Sequence, residues 1–144
     1  MMKTMLTLVM SVIFSVQYAQ LSENSKMYLL TCDVGDEVWS QFGHSALRIV
    51  DPATGKDLTF NWGMFDFGED EAEFNYKFAK GKLLYYMDVT HTSQFLAGYA
   101  YFKREVRQQE LNLTLDQKNK VWELLEINAL PENCLLYTSD AADE

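Results

Sequence analysis

The chain has 144 residues, enough for one domain, and carries a formal net charge of −9. An acidic domain with no basic stripe is unsuited to nucleic acid and to electrostatic docking on anionic lipid. Two His and scattered glycines, with no Cys or carboxylate at ligand spacing, argue against a zinc site and a phosphate-cradling loop, so no metal and no cofactor is expected.

The N-terminus reads as a targeting segment. A basic start at Met1 to Lys3, an apolar run from Met5 to Val16 and then Tyr18-Ala19-Gln20 form the three-part pattern of a secretory signal peptide. Residues 1–19 are expected to be removed on export, although Gln17 fits the small-x-small cleavage rule poorly. The run is short for a membrane span, which needs about 20 apolar residues. Cys32 lies too far from it to be a lipoprotein cysteine.

Met27 to Thr31 reads as a strand, and Asp36 to Gln41 as a helical turn. Ser45 to Val50 and Leu58 to Trp62 alternate as strands, with Leu47 and Ile49 on one face and Ala46 and Arg48 on the other. They form a hairpin through Asp51-Pro52-Ala53-Thr54-Gly55, where Pro presets φ and Gly supplies a positive one. Glu69 to Lys80 is a short helix with Phe74 and Phe78 one turn apart and Gly81 as its stop. Lys82 to Val89 is a strand. Thr92 or Ser93 caps a helix whose Phe95, Tyr99 and Phe102 form an apolar stripe. Val106 to Leu113 is a strand. Thr114-Leu115-Asp116-Gln117 is a capping box opening a helix with Val121, Trp122, Leu125 and Ala129 inward, ended by Pro131. The sum is an α+β domain with a mostly antiparallel sheet.

The last eleven residues, Cys134 to Glu144, match the conceptual translation of a transposase-type sequencing adapter. On that reading residues 20–133 are the protein, cut short at Asn133, and residues 134–144 are an artefact. Without Asp140, Asp143 and Glu144 the charge is −6, and without Lys3 as well it is −7. Cys32 is then the one native thiol, which cannot form an internal disulfide. It reads either as a small buried hydrophobe or as a nucleophile paired with His44.

The chemistry concentrates in Ser40 to Ile49. His44 follows Gly43 at the mouth of a strand, and Gly43, Ser45 and Ala46 leave room beside the imidazole. A His so placed, oriented by a polar group from the next strand, suits a general base; a hydrogen-bonded structural His is the other reading. Asn61 on the returning strand can orient the ring, provided the hairpin register turns it to the same side. Asp66 is a further candidate, more ordinary as a turn residue before Gly68. His91 reads as a surface residue.

Five segments appear in order: Leu29-Leu30-Thr31-Cys32 with Gly35, Phe42-Gly43-His44-Ser45-Ala46-Leu47-Arg48, Asn61-Trp62-Gly63 with Phe65-Asp66-Phe67, Phe78-Ala79-Lys80-Gly81, and Leu111-Asn112-Leu113-Thr114. Together they resemble the N-terminal periplasmic domain of Lnb-type lipoprotein N-acyltransferases, from about Ser22 to Asn133. The resemblance implies an exported domain with a fold similar to permuted papain-like cysteine enzymes, in which the His strand precedes the Cys helix. It implies His44, in the family's Gly-His motif, as general base; Asn61 on the returning strand is either the residue that orients the ring or a strand-end Asn satisfying backbone groups. It also implies a nucleophilic Cys in an Asp-Asn-Cys segment after the helix near Pro131, where this chain departs from the pattern, and membrane segments further on. The expected partner is a lipoprotein or lipid acyl substrate; the oligomeric state stays open.

Two function classes follow. One is an acyltransferase, or a related cysteine hydrolase, whose nucleophile lies beyond Asn133, so that the chain as it stands is inactive. The other is a non-catalytic exported binding module using the aromatic segment from Asn61 to Phe67. The DNA beyond Asn133 discriminates them: a Cys at a helix start favours the enzyme.

Overall fold

The computed structural model describes residues 20–37, 40–65, 70–80, 82, 84–130, 132 and 136–137. The expected signal peptide, Asp66, Gly81, Pro131 and Cys134 lie outside them. The elements are β1 (Lys26–Cys32), β2 (His44–Asp51), β3 (Lys56–Met64), α1 (Glu71–Ala79), β4 (Leu84–His91), α2 (Thr92–Tyr101), β5 (Val106–Glu110), α3 (Leu115–Asn128) and the two-residue β6 (Leu136–Tyr137). The strands run in the order β5-β1-β2-β3-β4-β6, and every neighbouring pair is antiparallel. This is the expected α+β class.

Strand register divides the sheet into two faces. Met27 lies opposite Ile49, and Leu47 opposite Phe60; Leu30 lies opposite Ala46, and Cys32 opposite His44. Side chains alternate along a strand, so the first set points to one side and the second to the other. α3 covers the first face, where Trp122 and Leu125 pack with Leu21, Met27, Ile49, Phe60 and Met87. The Phe60 and Trp122 rings meet edge to face at 6.0 Å. α2 covers the second, laying Phe95 on Leu30, Cys32 and Ala46. Each such fully buried side chain contributes about 1.5–3 kcal/mol. Both layers pin β1 and β2, the strands whose adjoining ends carry Cys32 and His44.

The hairpin turn is as expected, with Gly55 at φ 70°. The α3 capping box is present, with Thr114 and Gln117 each bonding the other's backbone N–H. α1 starts later than expected because Asp70 caps it, accepting from the N–H groups of Ala72 and Glu73. Three expectations are corrected. Neither Thr92 nor Ser93 caps α2: His91 holds the cap position without a side-chain bond, and the buried Thr92 hydroxyl pairs with that of Thr59 at 3.0 Å. Phe102 is not part of the buried stripe; α2 ends at Tyr101, so the helical period stops and Phe102 is 69 % exposed. β5 ends at Glu110 rather than Leu113, because the chain turns where the Leu113 N–H donates to the Leu111 carbonyl. Val38 and Trp39, within the helical turn expected at Asp36 to Gln41, lie outside the described residues; around them the Ser40 N–H donates to the Glu37 carbonyl and the Gly43 N–H to the Ser40 carbonyl.

Candidate active site

At one end of the sheet the C-terminus of β1, the N-terminus of β2 and the C-terminus of β3 converge. Continuing the β2–β3 register past Leu47 and Phe60 puts Asn61 opposite Ala46, on the face that carries His44 two residues away. Diagonal neighbours of this kind are about 7–8 Å apart at Cα, within reach of an imidazole and an amide. His44 Nε2 is hydrogen-bonded to Asn61 Oδ1. A carbonyl oxygen only accepts, so Nε2 carries the proton and Nδ1 is left as the basic nitrogen of the neutral ring.

The Asn61 amide is itself held. β3 and β4 pair regularly to Asn61 opposite Asp88 and resume at Met64 opposite Tyr86, so β3 contains one extra residue, a β-bulge, with Gly63 at φ 81°. Residues three apart on a regular strand point to opposite faces; the bulge brings Met64 back beside Asn61. The Asn61 Nδ2–H group donates to Met64 Sδ at 3.0 Å. With Nδ2 committed to sulfur, Oδ1 is the end that meets the ring.

Gly43 sets the entry of β2. Its φ is 71°, and a Cβ there would come within 2.8 Å of the Cys32 carbonyl oxygen. Glycine is therefore needed both for the left-handed backbone and for the close approach. The loop before it is tied down by the Gly35 N–H to Ser40 O bond, 2.9 Å, and by Arg104, which donates Nε–H and Nη2–H to Asp33 O at 3.0 and 2.6 Å.

A cavity of about 160 Å³ opens here, lined by Ser40, Gly43, His44, Asn61, Gly63, Met64, Phe65, Tyr99 and Arg104. One wall is aromatic: Phe65 packs on Phe74 at 5.2 Å with the rings tilted by 39°, and meets Phe78 and Tyr85 at 6.4 and 5.8 Å, so α1 and β4 buttress it. The Arg104 guanidinium, also in the lining, lies 4.7 Å over the Tyr99 ring.

Cys32 is directly across the ladder from His44, but the residue is only 2 % exposed and its thiol is bonded to Tyr99. Burial pushes the thiol pKa up, outweighing the Tyr99 bond and the Arg104 charge. Burial and the Cys32 bond likewise raise the Tyr99 phenol. This is the environment of an inert thiol. His91 is exposed. Among the described residues no group of three or more His, Cys, Asp or Glu could hold a metal ion.

The structure thus brings His44 and Asn61 together. It adds Met64, Tyr99 and Arg104, which sequence reasoning did not single out. The one signal for Met64 is Gly63, just past the expected strand end at Trp62 and inside the observed β3, where a glycine marks a bulge. Arg104 carried no such signal, because its neighbours come from distant elements.

A family model described as the Lnb N-terminal periplasmic domain matches residues 16–139, most of the chain and the first part of the segment read as adapter translation. No curated protein and no solved structure gives a significant match. Among the described residues no helix is long and apolar enough to cross a membrane.

Proposed function

The chain belongs to the family of Lnb N-terminal periplasmic domains, and from that premise we propose that it supplies the general base of a Cys/His-dependent acyltransferase site serving lipoprotein N-acylation. The observation that carries this reading is the His44–Asn61 hydrogen bond at the cavity, with Nε2 as donor and Nδ1 left basic. A base held in one tautomer by an amide is the arrangement cysteine nucleophiles use. The likeness to permuted papain-like enzymes is part of the same proposal.

The nucleophile in this account is a Cys encoded beyond Asn133, since Cys32 is buried against Tyr99. His44 Nδ1 takes the thiol proton as sulfur attacks an ester carbonyl of the acyl donor. The ester C–O bond breaks, the alcohol leaves with that proton, and a thioester remains on sulfur. The amino terminus of the lipoprotein then attacks the thioester, His44 takes the amine proton and returns it to sulfur, and an amide is formed. Backbone N–H groups at the start of the Cys helix stabilise the oxyanion in both halves. A hydrolase follows the same course with water as acceptor.

The test is to express the complete gene and incubate the protein with a diacylated lipopeptide. A hydroxylamine-labile acyl adduct on a cysteine after residue 133 supports the reading. Acyl transfer with no such adduct on any cysteine removes it.

A further inference from the structure

The chain has three arginines in a molecule of net charge −9. Arg48 meets the Asp57 carboxylate at 2.7 Å and Arg107 meets that of Glu105 at 3.0 Å. Arg104 meets no carboxylate among the described residues. It is bonded instead to a neutral carbonyl, Asp33 O, by Nε–H and Nη2–H, and stacked 4.7 Å over Tyr99. It is the arginine that lines the His44 cavity.

A guanidinium has five N–H donors in a fixed plane. Asp33 uses one edge, and the Tyr99 face fixes the plane, so the remaining donors are held ready at little further entropic cost. Burial keeps Tyr99 a neutral phenol, so the ring does not cancel the charge. Met64 and Phe65 add apolar lining to the same cavity. The cavity is therefore amphipathic, lined by sulfur and aromatic carbon and by a cation that pairs with no carboxylate among the described residues.

We propose that Arg104 binds an oxyanionic group, carboxylate or phosphate, on a ligand whose apolar tail lies against Met64 and Phe65. This rests on the reading of the cavity as the substrate site. It adds a chemical class: the molecule admitted beside His44 carries a negative charge within reach of Arg104. The two oxyanions share one recognition chemistry, a charge-assisted bond to the guanidinium edge.

The experiment titrates the isotopically labelled chain with hexanoate, hexyl phosphate and hexanol, following the Arg104 Nε–H resonance by NMR. Both anions are expected to shift it saturably and to bind about tenfold or more tightly than hexanol, the factor a charge-assisted hydrogen bond supplies. Whichever anion binds tighter identifies the group. Arg104→Gln is expected to erase the preference for anions. Arg107→Gln, at an arginine outside the cavity, is expected to leave it intact, and because the readout is binding with no acyl transfer, a failure of the catalytic reading does not imitate a failure of this one. An unmoved Arg104 resonance in the unmodified chain, equal binding of all three ligands, or a preference that survives in Arg104→Gln overturns the proposal. The wild-type resonance decides the matter even if Arg104→Gln does not fold.

Discussion

Cys32 and His44 are cross-strand partners at the end of the first two strands, yet the thiol is bonded to Tyr99 and the imidazole to Asn61. Register alone therefore does not make a catalytic pair; α2 takes the sulfur. Cys32→Ser in the complete protein is expected to leave acyl transfer unchanged. In the native chain Cys32 is expected to react slowly with iodoacetamide, since burial raises its pKa, and quickly after unfolding. A dead Cys32→Ser enzyme would make Cys32 the nucleophile.

Gly43→Ala is expected to destabilise the chain. The substitution puts a Cβ 2.8 Å from the Cys32 carbonyl at a backbone φ of 71°. A left-handed non-glycine residue costs on the order of 1–3 kcal/mol. Urea unfolding followed by tryptophan fluorescence measures it, and an unchanged midpoint contradicts the geometry.

Met64→Leu removes the sulfur that accepts the Asn61 Nδ2–H bond while keeping the side chain's bulk. The Asn61 amide is then free to turn, and His44 is expected to lose its single tautomer. Long-range ¹H–¹⁵N spectra of the ring report this directly. A His44 that stays wholly Nε2-protonated in Met64→Leu shows that sulfur does not position the pair.

Acid sensitivity follows from Asp51 and Asp57. Burial pushes the Asp51 carboxyl up, but bonds from Ser22 Oγ–H, the Ser22 and Ala53 N–H groups and Thr54 outweigh it and hold the pKa below the ordinary range. Asp57 is held low chiefly by its bond to Arg48. A carboxyl with a depressed folded pKa adds stability above its unfolded value, about 3.9, and that stability is lost as pH falls through the folded value. Unfolding free energy is expected to drop below about pH 4. Asp51→Asn should flatten the drop and cost about 1–3 kcal/mol at neutral pH, as a buried bonding group is lost. A pH-independent urea midpoint between neutral pH and the acid range contradicts this.

Much of the fold is legible in local pattern. The Asp51–Gly55 turn, the alternation of β2 and the Thr114 capping box are each set by a few adjacent residues, and they appear where those residues stand. The α2 cap is different. Thr92 looks like a capping residue, but Thr59, from a distant strand, claims its hydroxyl in the core. Phe102 continues a helical spacing that the helix itself does not reach. In the site, His44 stands out because glycine and small residues surround it. Asn61 was a candidate whose side of the sheet depended on the hairpin register. Arg104 was silent, since only the folded chain brings Asp33, Tyr99 and Arg104 together.

The most direct test of the account is acyl transfer by the complete protein carrying His44→Ala, with its fold checked by circular dichroism. Loss of a positioned general base is expected to lower the rate by about 10²–10⁴-fold while the spectrum is unchanged. A folded His44→Ala protein that transfers acyl groups at the wild-type rate contradicts the assignment of His44 as the base.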